Sequence, residues 1–256
     1  MSSMPFSLGQ LIRRGWLLIA VTACEVGFVQ GPRATPVATT HVASVVELFT
    51  SQGCSSCPPA DHLLSALARE PDVVALSFPI DYWDFIGWRD TFASPVFTAR
   101  QKAYATARGD GRIYTPQAVI DGLVDAVGSD KAQIERAIKM NRGREGALTV
   151  PIHLAESRDV LHIDIGAGPG ASAGVYVLRV IRSQTVVIGR GENSGRSVTY
   201  TNVVRAIHKI GEWNGVARSY ELTKLKGDDE GYVVLLQKGP EDRPGAILAA
   251  AKSVGF

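Results

Sequence analysis

The segment from Val45 to Asp61, VVELFTSQGCSSCPPAD, constrains this chain more than any other. It opens as an apolar, β-branched run of the kind that makes a buried strand, and it turns at Gly53. Cys54 and Cys57 follow at the start of an amphipathic helix with Leu63, Leu64 and Leu67 on one face. Side chains at i and i+3 share a helix face, so the two thiols are within reach of a disulfide. Pro58 and Pro59 suit a first turn, whose amides have no intrahelical acceptor. The partial positive charge of a helix N-terminus also stabilises a thiolate at Cys54. Strand, turn, CxxC and helix in that order make a dithiol redox motif rather than a bare cysteine pair.

Such a pair persists as a disulfide only in an oxidising compartment, and the N-terminus bears on that. Residues 1–24 have the layout of a signal peptide: Arg13-Arg14, the apolar run Trp16–Val21, then Thr22-Ala23-Cys24. The apolar run falls short of the ~20 residues that a membrane-spanning helix needs. Val21-Thr22-Ala23-Cys24 also fits a lipobox, in which Cys24 would be lipidated and attach the mature protein to a membrane. Plain cleavage nearby, with Cys24 discarded, is the other reading. Arg13-Arg14-Gly15-Trp16-Leu17 carries a faint twin-arginine pattern as well. Each route leads out of the cytoplasm, so an exported, periplasmic protein is expected. Losing Arg13 and Arg14 takes the 27 basic residues to 25, equal to the 25 acidic ones. A chain so near neutral lacks the basic surface that a nucleic-acid partner requires.

Residues 25–42 read as a linker rich in Pro, Thr, Gly and Ala. After the CxxC helix, Val73–Phe78 is a continuous apolar run, hence a second buried and parallel strand. Asp81–Trp88 then packs four aromatics into one short loop. These either pack beneath the insertion that follows or dock a substrate. Ser94-Pro95 starts a helix that Gly109 ends. Asp121-Gly122 predicts a hairpin between Ala118–Ile120 and Leu123–Val127. Asp130 caps a helix running to Met140. From residue 147 the pattern changes to about seven short strands between turn residues, which reads as a β-sandwich-like domain. Val203–Ile210 fits a helical period as well as a strand. The expected organisation is therefore a domain over 43–146 and an all-β domain over 147–256.

The CxxC segment resembles the signature of the "domain of unknown function 1223" family, exported bacterial proteins grouped with the thioredoxin-like superfamily. Asp81-Tyr82-Trp83-Asp84, Tyr114-Thr115-Pro116-Gln117 and Arg190-Gly191-Glu192-Asn193-Ser194-Gly195-Arg196 are similar to that family's pattern too, the last continuing into Thr201–Arg205. Pro79 departs from it, standing where histidine is common. The resemblance implies an α/β fold, with a thioredoxin-like domain carrying a helical insertion ahead of the all-β part. It further implies that Thr115-Pro116 is the residue-plus-cis-proline facing the CxxC, against the plain alternative of a trans proline entering a strand.

An exposed Cys54 thiolate would attack a substrate disulfide, and Cys57 would then resolve the mixed disulfide. Glu47 resembles the buried acid of thioredoxin with one residue inserted, and would move a proton to or from Cys57. Its other reading is a strand glutamate paired with a distant Arg or Lys. The candidate catalytic residues are thus Cys54, Cys57, Glu47, Thr115 and Pro116. The expected activity is thiol–disulfide exchange on a protein disulfide or small-thiol substrate, without cofactor or metal. Two alternatives stand beside it, a binding or scaffold protein with a structural Cys54–Cys57 disulfide, and copper binding. For copper the histidines are badly placed. His62 lies about 140° around the helix from Cys57, while His153, His162 and His208 fall in the second half. Arg190–Arg196 reads as a tight loop with an ion-pair cluster, or as a ligand-binding loop.

Overall fold

Strand β1 (Ser44–Thr50) is buried on both faces, and the other elements are arranged around it. The computed structural model describes residues 41–157, 160–169, 172–223 and 230–256. The expected signal segment with Cys24, and the expected linker up to residue 40, lie outside the described residues. Along β1 the side chains alternate between two cores. Val45 and Phe49 share one with Phe97 and Tyr104 of helix α2 (Pro95–Arg108). Val46 and Leu48 share the other with Leu64 and Leu67 of α1 (Pro58–Leu67) and Ile134 of α3 (Lys131–Asn141). A period of two on a central strand with helices on both sides produces this division.

Local chemistry sets most of the element ends in this half. Ser94 accepts a hydrogen bond from the Val96 amide at the start of α2, and Asp130 accepts one from Gln133 at the start of α3. β2 (Val73–Pro79) pairs parallel with β1, and β3 (Gln117–Ile120) pairs antiparallel on the other side. β3 and β4 (Val124–Val127) form the hairpin that Asp121-Gly122 predicts, with φ of 55° and 72° at the two turn residues. Asp121 also anchors β1, its Oδ1 accepting from the Ser44 hydroxyl at 2.9 Å and the Val45 amide at 2.8 Å.

Seven strands follow: β5 (Ile152–Glu156), β6 (Val160–Ile165), β7 (Ala173–Val187), β8 (Ser197–Trp213), β9 (Arg218–Thr223), β10 (Glu230–Lys238) and β11 (Ile247–Lys252). They are not set apart at residue 147. β8 joins β2 in parallel at Ser77–Val203, where Asn202 (φ 49°) donates its Nδ2 to the Ala75 carbonyl at 2.9 Å. The result is one eight-stranded sheet in the order β11-β10-β7-β8-β2-β1-β3-β4, with β5-β6-β9 as a separate three-stranded sheet. Leu161 and Ile163 of the small sheet share a core with Val175, Val177, Val234 and Leu236 of the large one. Among the described residues the architecture is mixed α/β, a large mostly antiparallel sheet with three α-helices.

β7 runs unbroken through residues 173–187 as a single strand. Val203–Ile210, which fits either period, is strand, inside β8. β11 is a further strand that the sequence does not announce, because Ala249-Ala250-Ala251 has low intrinsic strand preference. Pairing with β10 and burial of Ile247, Leu248 and Ala249 supply what propensity lacks. No helix among the described residues is long and apolar enough to cross a membrane.

Candidate functional site

The turn leaving β1 is tied down before it reaches the first cysteine. Gln52 donates its backbone N–H to Asp90 Oδ2 at 2.8 Å, and its side-chain Oε1 accepts from Trp88 Nε1 at 2.8 Å. Gly53 is a position of close approach, since a Cβ there would lie 3.1 Å from Ile86 Cδ1 and 3.3 Å from Trp83 Cβ. The aromatic loop 81–88 therefore packs on the CxxC turn itself. Trp83 extends the contact by donating Nε1 to Thr115 Oγ1 at 2.8 Å, while Phe85 stacks on Trp83 and is 83% exposed.

Cys54 and Cys57 form a disulfide, with their Cα atoms 5.4 Å apart, and Cys57 is the N-cap residue of α1. Thr115–Pro116 is a cis peptide that enters β3 beside them. The Ser56 hydroxyl donates to the Thr115 carbonyl at 3.5 Å, so the structure brings Cys54, Cys57, Thr115 and Pro116 into one site. The expected exposure of Cys54 is corrected. Cys54 is 1% exposed and Cys57 is fully buried, although Ser55 and Ser56 between them are open to solvent.

The loop between β7 and β8 is seated on the backbone around Cys54. Asn193 Nδ2 donates to the carbonyls of Gln52 at 2.9 Å and Cys54 at 2.8 Å, and Glu192 Oε2 accepts from the Ser55 amide at 3.1 Å. Its hydrogen bonds with Ser55 hold the Glu192 carboxyl below the usual range, so the group is ionised. Arg190–Arg196 makes no ion pair among the described residues, and two of its side chains are seated on backbone groups of the CxxC turn.

A family model described as "Protein of unknown function (DUF1223)" matches residues 45–237, from β1 into β10, and so spans every element of the site. This chain belongs to the DUF1223 family. A solved relative, protein AGR_C_4864 from Agrobacterium tumefaciens, is 36% identical and superposes with a TM-score of 0.77. The alignment covers 86% of this chain and 97% of that one. An endonuclease/exonuclease/phosphatase from Beutenbergia cavernae aligns at 18% identity and a TM-score of 0.18, over 41% of this chain and 23% of that one, and carries no weight. No curated protein matches.

In this DUF1223 chain Glu47 is not brought to the cysteines. It is fully buried on the α2 side of β1, where Arg100 Nε meets Oε1 at 2.8 Å and Arg100 Nη2 meets Oε2 at 3.1 Å. The Tyr104 hydroxyl donates to the same Oε2. Gln237 of β10 joins the cluster, its Oε1 accepting from Arg100 and its Nε2 donating to Tyr104, so Glu47 anchors α2 and the far half of the sheet.

The buried acid near the disulfide is Asp61, which the sequence reading passed over. It lies one helical turn beyond Cys57, with its amide donating to the Cys57 carbonyl at 3.1 Å. Oδ1 accepts from the Thr50 hydroxyl at 2.8 Å, and Oδ2 is buried with no hydrogen-bond partner. Burial pushes its carboxyl up to about 7 against the Thr50 hydrogen bond, and the charge of Asp90 adds to the rise. Asp90 is itself pushed up to about 6 by burial, against hydrogen bonds from the Gln52 and Phe92 amides. Its signal was available, since an acid beside Ala60 and three residues before Leu64 sits on the apolar stripe of α1. The segment holding Glu192 and Asn193 stands out in the sequence, but its place on Cys54 does not, because no spacing rule links residues 139 positions apart. His62 is exposed. Among the described residues no group of three or more His, Cys, Asp or Glu is gathered as a metal site.

Proposed function

We propose that this chain is an exported thiol–disulfide oxidoreductase of thioredoxin-like type, with Cys54 and Cys57 as its redox pair and a protein disulfide or small thiol as its substrate. One observation carries the reading. A disulfide at the N-cap of a helix that follows a buried parallel strand lies beside a cis Thr115–Pro116 at the head of the neighbouring antiparallel strand. The partial order β2-β1-β3-β4, with α1 and α3 on one core and α2 on the other, supports the thioredoxin-like description. Cys54 is the attacking sulfur, favoured by the helix end, and Cys57 resolves the mixed disulfide. Thr115 and Pro116 position the substrate chain against the pair.

A Cys57→Ser variant is the direct test. With the resolving thiol gone, mixed disulfides on Cys54 should accumulate in periplasmic extract and run as reducible adducts on a non-reducing gel. The second reading, a fixed disulfide in a binding protein, is favoured by the burial of both cysteines. It predicts no adducts and a Cys54 that alkylates no faster than an ordinary thiol of pKa about 8.5. Loop-closure entropy favours the first reading, because a bridge across a separation of 3 residues restricts the unfolded chain little.

Export would proceed through residues 1–24, with Cys24 as the lipid-bearing residue of the mature protein. Wild type should then partition into the detergent phase of a two-phase extraction and Cys24→Ala into the aqueous phase. An aqueous wild type would return Cys24 to a discarded signal segment.

A further inference from the structure

We propose that the β7–β8 loop is a redox latch, in which Glu192 and Asn193 hold the backbone around Cys54 in its disulfide form, disfavour the Cys54 thiolate, and must release before Cys54 exchanges. This rests on the exchange function proposed above. The three hydrogen bonds from the loop all land on residues 52–55, and none reaches the body of α1. Ser55 N–H belongs to the turn that leads into α1, where a thiolate at Cys54 would look for donors. Glu192 has already taken that amide with a full negative charge, and two anions so close disfavour one another. Reduction therefore sets Cys54 against Glu192, while the disulfide, which carries no charge, does not.

The loop is joined to the sheet by few strand pairings. β7 pairs with β10 only as far as Ile181, and β8 meets β2 at Val203. Beyond those points Ser183–Val187 and Ser197–Thr201 pair with each other alone, as a two-stranded arm with the loop at its tip. Its neck is closed by Ile188 and Gly195, each bonding across the loop. Ile188 and Tyr200 at the base are buried, and Tyr200 meets Phe92 edge to face, so release would part the tip from the CxxC turn while the base stays packed. The latch also closes against a cost. Asn193 Oδ1 is buried without a hydrogen-bond partner, which offsets part of what Nδ2 gains.

The exchange step balances with an external dithiol. One of its sulfurs attacks the Cys54–Cys57 bond, its second sulfur displaces the mixed disulfide, and it leaves as its own disulfide. Two electrons and two protons pass to Cys54 and Cys57, and Cys54 then loses its proton to solvent. The attacking sulfur needs an open path, and Cys54 and Cys57 are both buried while the loop is seated.

Dithiothreitol is the probe, used on the purified protein with its Cys54–Cys57 disulfide intact. Glu192→Gln keeps an acceptor for Ser55 but removes the charge. It should shift the equilibrium toward the dithiol by three- to tenfold, where tenfold is about 30 mV for a two-electron couple. The iodoacetamide-titrated pKa of Cys54 should fall as well. Asn193→Ala should speed reduction by about tenfold, as expected when a closed state loses roughly 1.4 kcal/mol. Because Asn193→Ala strips the Gln52 carbonyl of its donor and leaves the Cys54 carbonyl with the Cys57 amide alone, it risks misfolding, and the exposed Glu192→Gln change keeps the test decisive. A reducible wild type with Glu192→Gln unchanged in both equilibrium and Cys54 pKa would overturn the latch and leave the exchange reading standing. A wild type that dithiothreitol cannot reduce without unfolding would overturn both.

Discussion

An Arg100→Ala variant should lose about 3–5 kcal/mol of folding stability, the usual cost of stripping one partner from a buried ion pair. Glu47 would be left fully buried without its counter-ion, with the Tyr104 hydroxyl as its remaining partner among the described residues. Gln237 Oε1 would lose its donor in the same step. The damage would cross the molecule, because this cluster joins β1, α2 and β10, which lie far apart in the chain. Urea unfolding should show a lower midpoint with an unchanged slope. Glu47→Gln separates structure from chemistry. It should weaken the fold while the pH dependence of mixed-disulfide resolution stays that of wild type, and an altered profile would restore a proton-transfer role to Glu47.

Asp61→Asn should change how stability responds to pH. Burial raises the Asp61 carboxyl from 3.8 to about 7 in the folded protein. Between those values the folded state holds a proton that the unfolded state has released, so this residue makes stability fall as pH rises from about 4 to 7. Below that window both states are protonated, and above it both are ionised and the full penalty applies. At about 1.4 kcal/mol per unit the fall attributable to Asp61 is on the order of 4 kcal/mol. Asparagine can still accept from Thr50 but does not titrate, so the variant should gain on wild type progressively across the window. Asp90, pushed up to about 6, leaves a shallower slope of the same sign in the variant. Unfolding free energies measured from pH 4 to 8 that run parallel for the two proteins would refute this assignment.

Features that residues settle with their near neighbours were legible before the structure. Cys54 and Cys57, the caps Ser94 and Asp130, and the Asp121-Gly122 turn each act within a few positions, and each stands where its chemistry puts it. The reading failed where distant segments decide. β11 is a strand because β10 offers it an edge, against the preference of its alanines. Glu47 looks like a proton carrier until Arg100 is found beside it, 53 positions away. The backbone at Cys54 is held by Asn193, whose loop reads as an ion-pair cluster or a ligand-binding loop when taken alone. Asp61 is the instructive omission, since its place on the apolar stripe of α1 was visible and only its burial was missing.

The parallel pairing of β8 on β2 has a consequence for the order of assembly. Cys54 and Cys57 are 3 positions apart, whereas Asn193 reaches Cys54 across 139. A chain that emerges from its N-terminus presents both thiols, and can complete the turn and α1, well before β8 arrives to dock at Val203. Contacts of such long separation close late because their loop entropy must be met first. The bond between the cysteines can therefore close in the open, before β8 seats beside it. For the exchange function proposed above, oxidant access would belong to the nascent protein and reductant access to the finished one, so the two directions of the same reaction would face different surfaces.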